Sequence, residues 1–83
     1  MILSKQIAKE NVAANIRRLM DDRNLTQVQL ADAAGISQPF VHKLLHGKAL
    51  PNAVDLRNVA EVLGVSSDDL MESSLERKLR KIG

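Results

Sequence analysis

The chain has no cysteine, tryptophan or tyrosine, and its one phenylalanine is Phe40. The missing cysteine excludes disulfides and thiolate metal sites. With almost no aromatic rings, the core has to be built from Leu, Val, Ile, Ala and Met, a set that suits small helices in close contact. No apolar run approaches the roughly 18 residues of a membrane span, and Met1-Ile2-Leu3 is too short for a signal peptide. A cytoplasmic chain with no membrane association is therefore expected. At 83 residues, 45% hydrophobic and 27% charged, the balance is globular and one domain is the natural reading.

An excess of one charge is also nearly missing. Twelve basic against ten acidic residues give +2. Four of the bases, Arg77, Lys78, Arg80 and Lys81, crowd the last seven residues, and up to Ser74 eight bases face nine acids. Net charge alone is thus a poor argument for a nucleic-acid partner. Any such argument must come from pattern.

The pattern is helical throughout. Val12, Ile16, Leu19 and Met20 fall at i, i+4, i+7 and i+8, predicting a first helix over about residues 5–22, with Ser4 as its cap and Asn24 as a left-handed stop. Thr26 caps a short second helix, 27–34, which Gly35 ends. Ser37 caps a third helix with Pro39 in its first turn, where a missing N–H costs nothing, and Gly47 closes it. Pro51 and Asn52 open a fourth, carrying Leu56, Val59, Ala60 and Leu63, which Gly64 terminates. Ser66 and Asp69 form a capping-box pattern at the start of a short fifth. No strand signal, internal repeat or low-complexity segment appears. An all-α, compact five-helix domain over 1–74 is expected, followed at 75–83 by a basic amphipathic tail.

Three residues, Gly35-Ile36-Ser37, join the second and third helices. So tight a turn requires a small side chain at Ala31, where the helices approach most closely, and a left-handed backbone at Gly35. Leu30, Ile36, Val41 and Leu44 then fill the space between these helices and the first. Ser37, Gln38, Pro39, His42, Lys43 and His46 are left facing outward. Amides and bases gathered on one face at a helix N-terminus are what readout of the DNA major groove requires.

Here the sequence resembles the lambda-repressor/Cro superfamily of helix-turn-helix proteins, also called the XRE family. The resemblance rests on Ile16-Arg17-Arg18-Leu19, Leu25-Thr26-Gln27, Leu30-Ala31, Gly35-Ile36-Ser37-Gln38, Val41, Leu44 and Gly47-Lys48. It continues through Pro51, Leu56, Val59-Ala60, Leu63-Gly64-Val65-Ser66 and Leu70, so it covers about residues 12–71, with the motif itself at 27–46. It implies a five-helix domain that binds operator DNA as a homodimer. Matched residue by residue, it implies base contacts from Gln38 to adenine, from Lys43 to guanine and from Pro39 to a thymine methyl, with His42 on the same face. It implies phosphate contacts from Gln27, Ser37, His46 and Lys48, and from Arg17 or Arg18. The family usually carries Arg at the position of Met20 and Glu at that of Leu45. Both are apolar here, and the two side chains are expected to pack together in place of an ion pair. Phe40 stands where the family tends to have a small or polar residue, and its ring is expected on the surface.

Other readings of the same residues are weaker. His42 and His46, at i and i+4, lack a third ligand nearby, so no metal or other cofactor is expected. Asp68 and Asp69 are explained by their place at a helix start. With no nucleophile–base pair and no phosphate-binding glycine loop, an enzyme is not expected. In the tail, Leu75, Leu79 and Ile82 at i, i+4 and i+7 fit either a frayed end or a helix that packs on the body or on a second subunit. The expected function is a transcriptional regulator, a repressor by preference. The alternative is an antitoxin that binds a small toxin protein and regulates its own operon.

Overall fold

The computed structural model describes residues 2–82; Met1, at the start of the expected domain, and Gly83, at the end of the expected tail, lie outside the described residues. Among the described residues there are six helices and no strand: α1 (Lys5–Arg23), α2 (Gln27–Ala34), α3 (Gln38–Leu45), α4 (Ala53–Leu63), α5 (Ser67–Met71) and α6 (Ser74–Ile82). None is long and apolar enough to cross a membrane.

Each expected start signal does its local work. The side chains of Ser4, Thr26, Ser37, Asn52 and Ser66 each accept a bond from the backbone N–H three residues on, meeting donors that the first helical turn leaves unpaired. Thr26 does so within a full capping box, because the Gln29 amide oxygen accepts from the Thr26 N–H at 2.9 Å.

The stops share one geometry. Asn24, Gly35, Gly47 and Gly64 all adopt a left-handed φ, between 53° and 73°. In each case the following N–H folds back on a carbonyl five residues earlier: Leu25 on Met20, Ile36 on Ala31, Lys48 on Lys43 and Val65 on Ala60. This is the Schellman arrangement. In three of the four the folded-back residue is apolar, and Leu25, Ile36 and Val65 pack against the core. The loops thus close the core as well as reverse the chain.

The core is one aliphatic cluster. Val12, Ile16, Leu30, Val41, Leu44, Val59, Leu63 and Leu70 are fully enclosed in it. α1 packs on α3 and α5, α2 on α3 and α4, and α4 on α5. Phe40 departs from expectation. Its ring is half-buried and packs against the core, over a shallow depression shared with Ile36, Leu50 and Asn52. From the loop after α3, Ala49 and Leu50 are likewise partly buried against the core, and Leu50 lines the same depression as the ring.

The C-terminal residues 74–82 form α6 rather than a frayed end. Ser73 and Glu76 start it with a reciprocal pair of bonds, at 3.2 Å and 3.1 Å, the same S-x-x-E logic seen at the other starts. No α6 side chain is buried. The helix is moored by Arg80, which bonds Glu72 through two nitrogens at 3.2 Å and 2.7 Å and lies 3.9 Å from Asp69.

Candidate nucleic-acid interface

The two sides of α3 are sharply different. Val41, Leu44 and Leu45 are buried, whereas Gln38, Pro39, His42 and Lys43 are exposed, as are Ser37 before the helix and His46 after it. Helical spacing sets Gln38, His42 and His46 in one row and Pro39 with Lys43 in the next. With side chains, a helix of about 10–12 Å diameter fits the B-DNA major groove, about 12 Å wide. The N-terminus of α3 is fixed by the Ser37 hydroxyl, which accepts from the Phe40 N–H at 3.2 Å.

The rigid partner of this face is α2. Leu30, Ala31 and Ala34 are all buried, and Ala31 lets the two helices meet closely while Gly35 turns the chain at φ +71°. Gln27, in the first turn of α2, is half-buried. It lines a shallow depression with Arg17, Met20, Asp21, Thr26, Leu45 and His46. The structure therefore brings Gln27 and His46 to the same edge of the α3 face. Lys48 lies exposed just beyond.

Met20 and Leu45 are both buried, 6% and 7% exposed, within the same cluster and along the same depression. Here two apolar side chains stand in the core at the positions where the sequence motif led to the expectation of a hydrophobic pair.

Arg17 and Arg18 part company. The Arg17 guanidinium donates to the carbonyl of Leu45, at the end of α3. Arg18 turns toward α5. It lies 3.5 Å from the Asn15 amide oxygen, and its charge helps hold the Asp69 carboxyl below its ordinary range. The exposed cations on α3 and just after it are Lys43 and Lys48. The ion pairs found among the described residues both belong to Arg80, so neither lysine is tied up in one. The His42 and His46 rings stack with centroids 4.0 Å apart, and His46 Nδ1 lies 2.8 Å from the His42 carbonyl oxygen.

Two residues outside the motif hold its frame. The Asn15 amide donates to Leu70 and Glu72 carbonyls at 2.9 Å and 2.8 Å, and Asn11 donates to the Met71 carbonyl at 3.2 Å. Sequence reasoning does not single them out. One available signal was their i, i+4 spacing beside the apolar stripe of α1.

The profile of the family described as Helix-turn-helix matches residues 16–70. The chain belongs to that family. It is of the Cro/C1 type, a class of DNA-binding transcriptional regulators, as the sequence motif implied. One relative of this helix-turn-helix chain is the HTH-type transcriptional regulator PrtR of Pseudomonas aeruginosa, 46% identical over 63 residues. The match takes in 76% of this chain but 24% of PrtR, so it spans about a quarter of that relative's length. A second relative, the uncharacterized HTH-type transcriptional regulator y4dJ of Sinorhizobium fredii, is 33% identical over 72% of this chain and 78% of its own length. Among solved structures, a hypothetical transcription factor from Neisseria, NHTF, superposes with a TM-score of 0.83 at 22% identity, covering 96% of this chain and 91% of that one. The SOS-response transcriptional repressor LexA from Eubacterium rectale gives a TM-score of 0.76 at 23% identity over 89% and 77% of the two chains. At those identities the likeness is one of fold.

Proposed function

We propose that this chain is a sequence-specific double-stranded DNA-binding transcriptional repressor that acts in the cytoplasm and reads the major groove with α3. The observation that carries the reading is the division of α3 into a buried apolar side and an exposed side holding Gln38, Pro39, His42 and Lys43. Gln38 pairs with adenine N6 and N7, Lys43 with guanine O6 and N7, and Pro39 packs on a thymine methyl, with His42 beside them. A good bidentate pair is worth about 1–3 kcal/mol of discrimination. Gln27, Ser37, His46 and Lys48 contact phosphates along the two edges of the helix pair.

The functional unit in this reading is a homodimer whose recognition helices enter successive major grooves, about 34 Å apart. The exposed row Leu75, Leu79 and Ile82 of α6 is the proposed dimer contact. Both relatives are named as transcriptional regulators, which does not favour the antitoxin alternative.

Selection of bound duplexes from random DNA tests the proposal, followed by Gln38→Ala on the winning site. Loss of preference at one base position is the expected result. A uniform loss across all duplexes would make Gln38 a backbone contact, and failure to enrich any site would remove sequence-specific binding. The mass of the free chain, with and without residues 74–83, tests the dimer: a monomer in both cases overturns it.

A further inference from the structure

The last turn of α3 has to satisfy its final carbonyls with donors at or beyond the helix end. The His42 carbonyl takes the His46 N–H at 3.2 Å, the Lys43 carbonyl takes the Lys48 N–H at 3.0 Å and the Leu44 carbonyl takes the Gly47 N–H at 3.2 Å. The next carbonyl, that of Leu45, receives the Arg17 guanidinium from α1. The cation thus sits at the negative end of the α3 dipole, where positive charge is stabilising. It reaches that carbonyl beside Met20 and Leu45, which are buried in the same cluster and line the same depression as Arg17.

We infer that Arg17 is a positioning residue for the recognition helix: it locks the C-terminal end of α3 to α1, and so acts on base selection through Leu45 rather than by contacting phosphate. Ser37 fixes one end of α3 and Arg17 fixes the other. Lys43 and His46 lie in the turn that Arg17 holds, so the pitch of these side chains in the groove depends on this bond. The inference rests on the DNA-binding reading above and adds to it a residue whose role is internal.

Salt dependence separates the two roles. A residue that neutralises one phosphate contributes about 0.9 to the slope of log affinity against log salt, because its counterion is released on binding. Binding of the full chain to its selected duplex, and to the same duplex with the base pair facing Lys43 changed, is measured over a salt series for the wild type, Arg17→Met and Arg17→Lys. In Arg17→Met the slope is expected to stay at the wild-type value, while the preference between the two duplexes falls several-fold. Arg17→Lys is expected to recover part of that preference, since an ammonium can still donate to the Leu45 carbonyl. A slope reduced by about one in Arg17→Met, with both duplexes weakened equally, would overturn the inference and make Arg17 a phosphate ligand. Unchanged preference and unchanged slope would overturn it as well.

Amide exchange of His46, Gly47 and Lys48 in the free protein gives a readout that needs no DNA. Faster exchange confined to these residues in Arg17→Met supports the lock, and wild-type rates there refute it. Should the wild-type chain select no DNA, the functional proposal fails and the exchange measurement still decides whether Arg17 holds α3.

Discussion

Asn15 donates from within the core to the Leu70 carbonyl, at 2.9 Å across 55 residues of sequence. A second bond from the same amide reaches the Glu72 carbonyl at 2.8 Å. The α5–α6 link is extended at Glu72, with ψ near 148°, so its carbonyls have no helix ladder to enter and α1 supplies their donor. Asn15 is the one polar side chain buried among the described residues, and its partners explain why it is tolerated there.

Asn15→Ala should therefore cost more than its size suggests. Leaving a buried carbonyl without a donor costs about 1–3 kcal/mol, and two are affected. The expected loss is about 2–3 kcal/mol, read from urea unfolding. A change under about 0.5 kcal/mol would mean that water takes over both carbonyls.

Gly35→Ala isolates a backbone effect. No atom lies within 4 Å of the place a Cβ would occupy, while φ is +71°. The cost is then the left-handed strain of an L-residue alone, about 1–2 kcal/mol. Gly35→Asn should cost clearly less, because asparagine tolerates this conformation, as Asn24 does at φ 53°. Equal losses for Ala and Asn in thermal unfolding would point to a steric cause instead.

Met20→Arg alone places a cation among buried apolar groups. An uncompensated charge of this kind is expected to destabilise by about 3 kcal/mol. Adding Leu45→Glu should restore much of that, giving a favourable coupling in a double-mutant cycle. Additive losses in the cycle would show that these two positions do not meet.

Asp69 gives the acid limb of stability a defined contribution. Its carboxyl is held below the ordinary value of 3.8, chiefly by the Ser66 backbone N–H and against an opposing push from burial; the Ser66 hydroxyl and the charges of Arg80 and Arg18 add to the lowering. A folded value below the unfolded one means this contribution is complete above about pH 3.8 and is lost as pH falls through the folded value. The stability gap between wild type and Asp69→Asn should accordingly shrink below that pH. A gap that stays constant from pH 6 down to pH 2 would rule out the linkage.

What the sequence made legible is what depends on near neighbours. Ser4, Thr26, Ser37, Asn52 and Ser66 act within three residues, and Asn24, Gly35 and Gly64 act within five, so their side-chain chemistry announces them. The exposed face of α3 was equally readable, since the helical period divides Gln38, His42 and Lys43 from Val41 and Leu44. Contacts across the fold were not. Asn15 and Asn11 look like ordinary polar positions on α1 until α5 is placed beside them. Phe40 reads as a surface ring because Leu50, which lines the same depression, comes from a segment with no periodicity of its own. Arg17 and Arg18 are adjacent and chemically identical, yet one reaches the end of α3 and the other turns to α5. Only the rotation of the helix between them, about 100° per residue, separates their fates.

The mooring of α6 sets where cooperativity ends. Its hold on the body is the Arg80 guanidinium on Glu72 and Asp69, at the surface, and Leu75, Leu79 and Ile82 are already open to solvent. Melting this helix uncovers little new apolar area, so it should detach as a separate, low-energy opening well before the five-helix body lets go. Raised ionic strength weakens exposed ion pairs and would loosen that mooring first. The last nine helical residues thus behave as an appendage whose order is set by the solvent, or by whatever comes to lie against it.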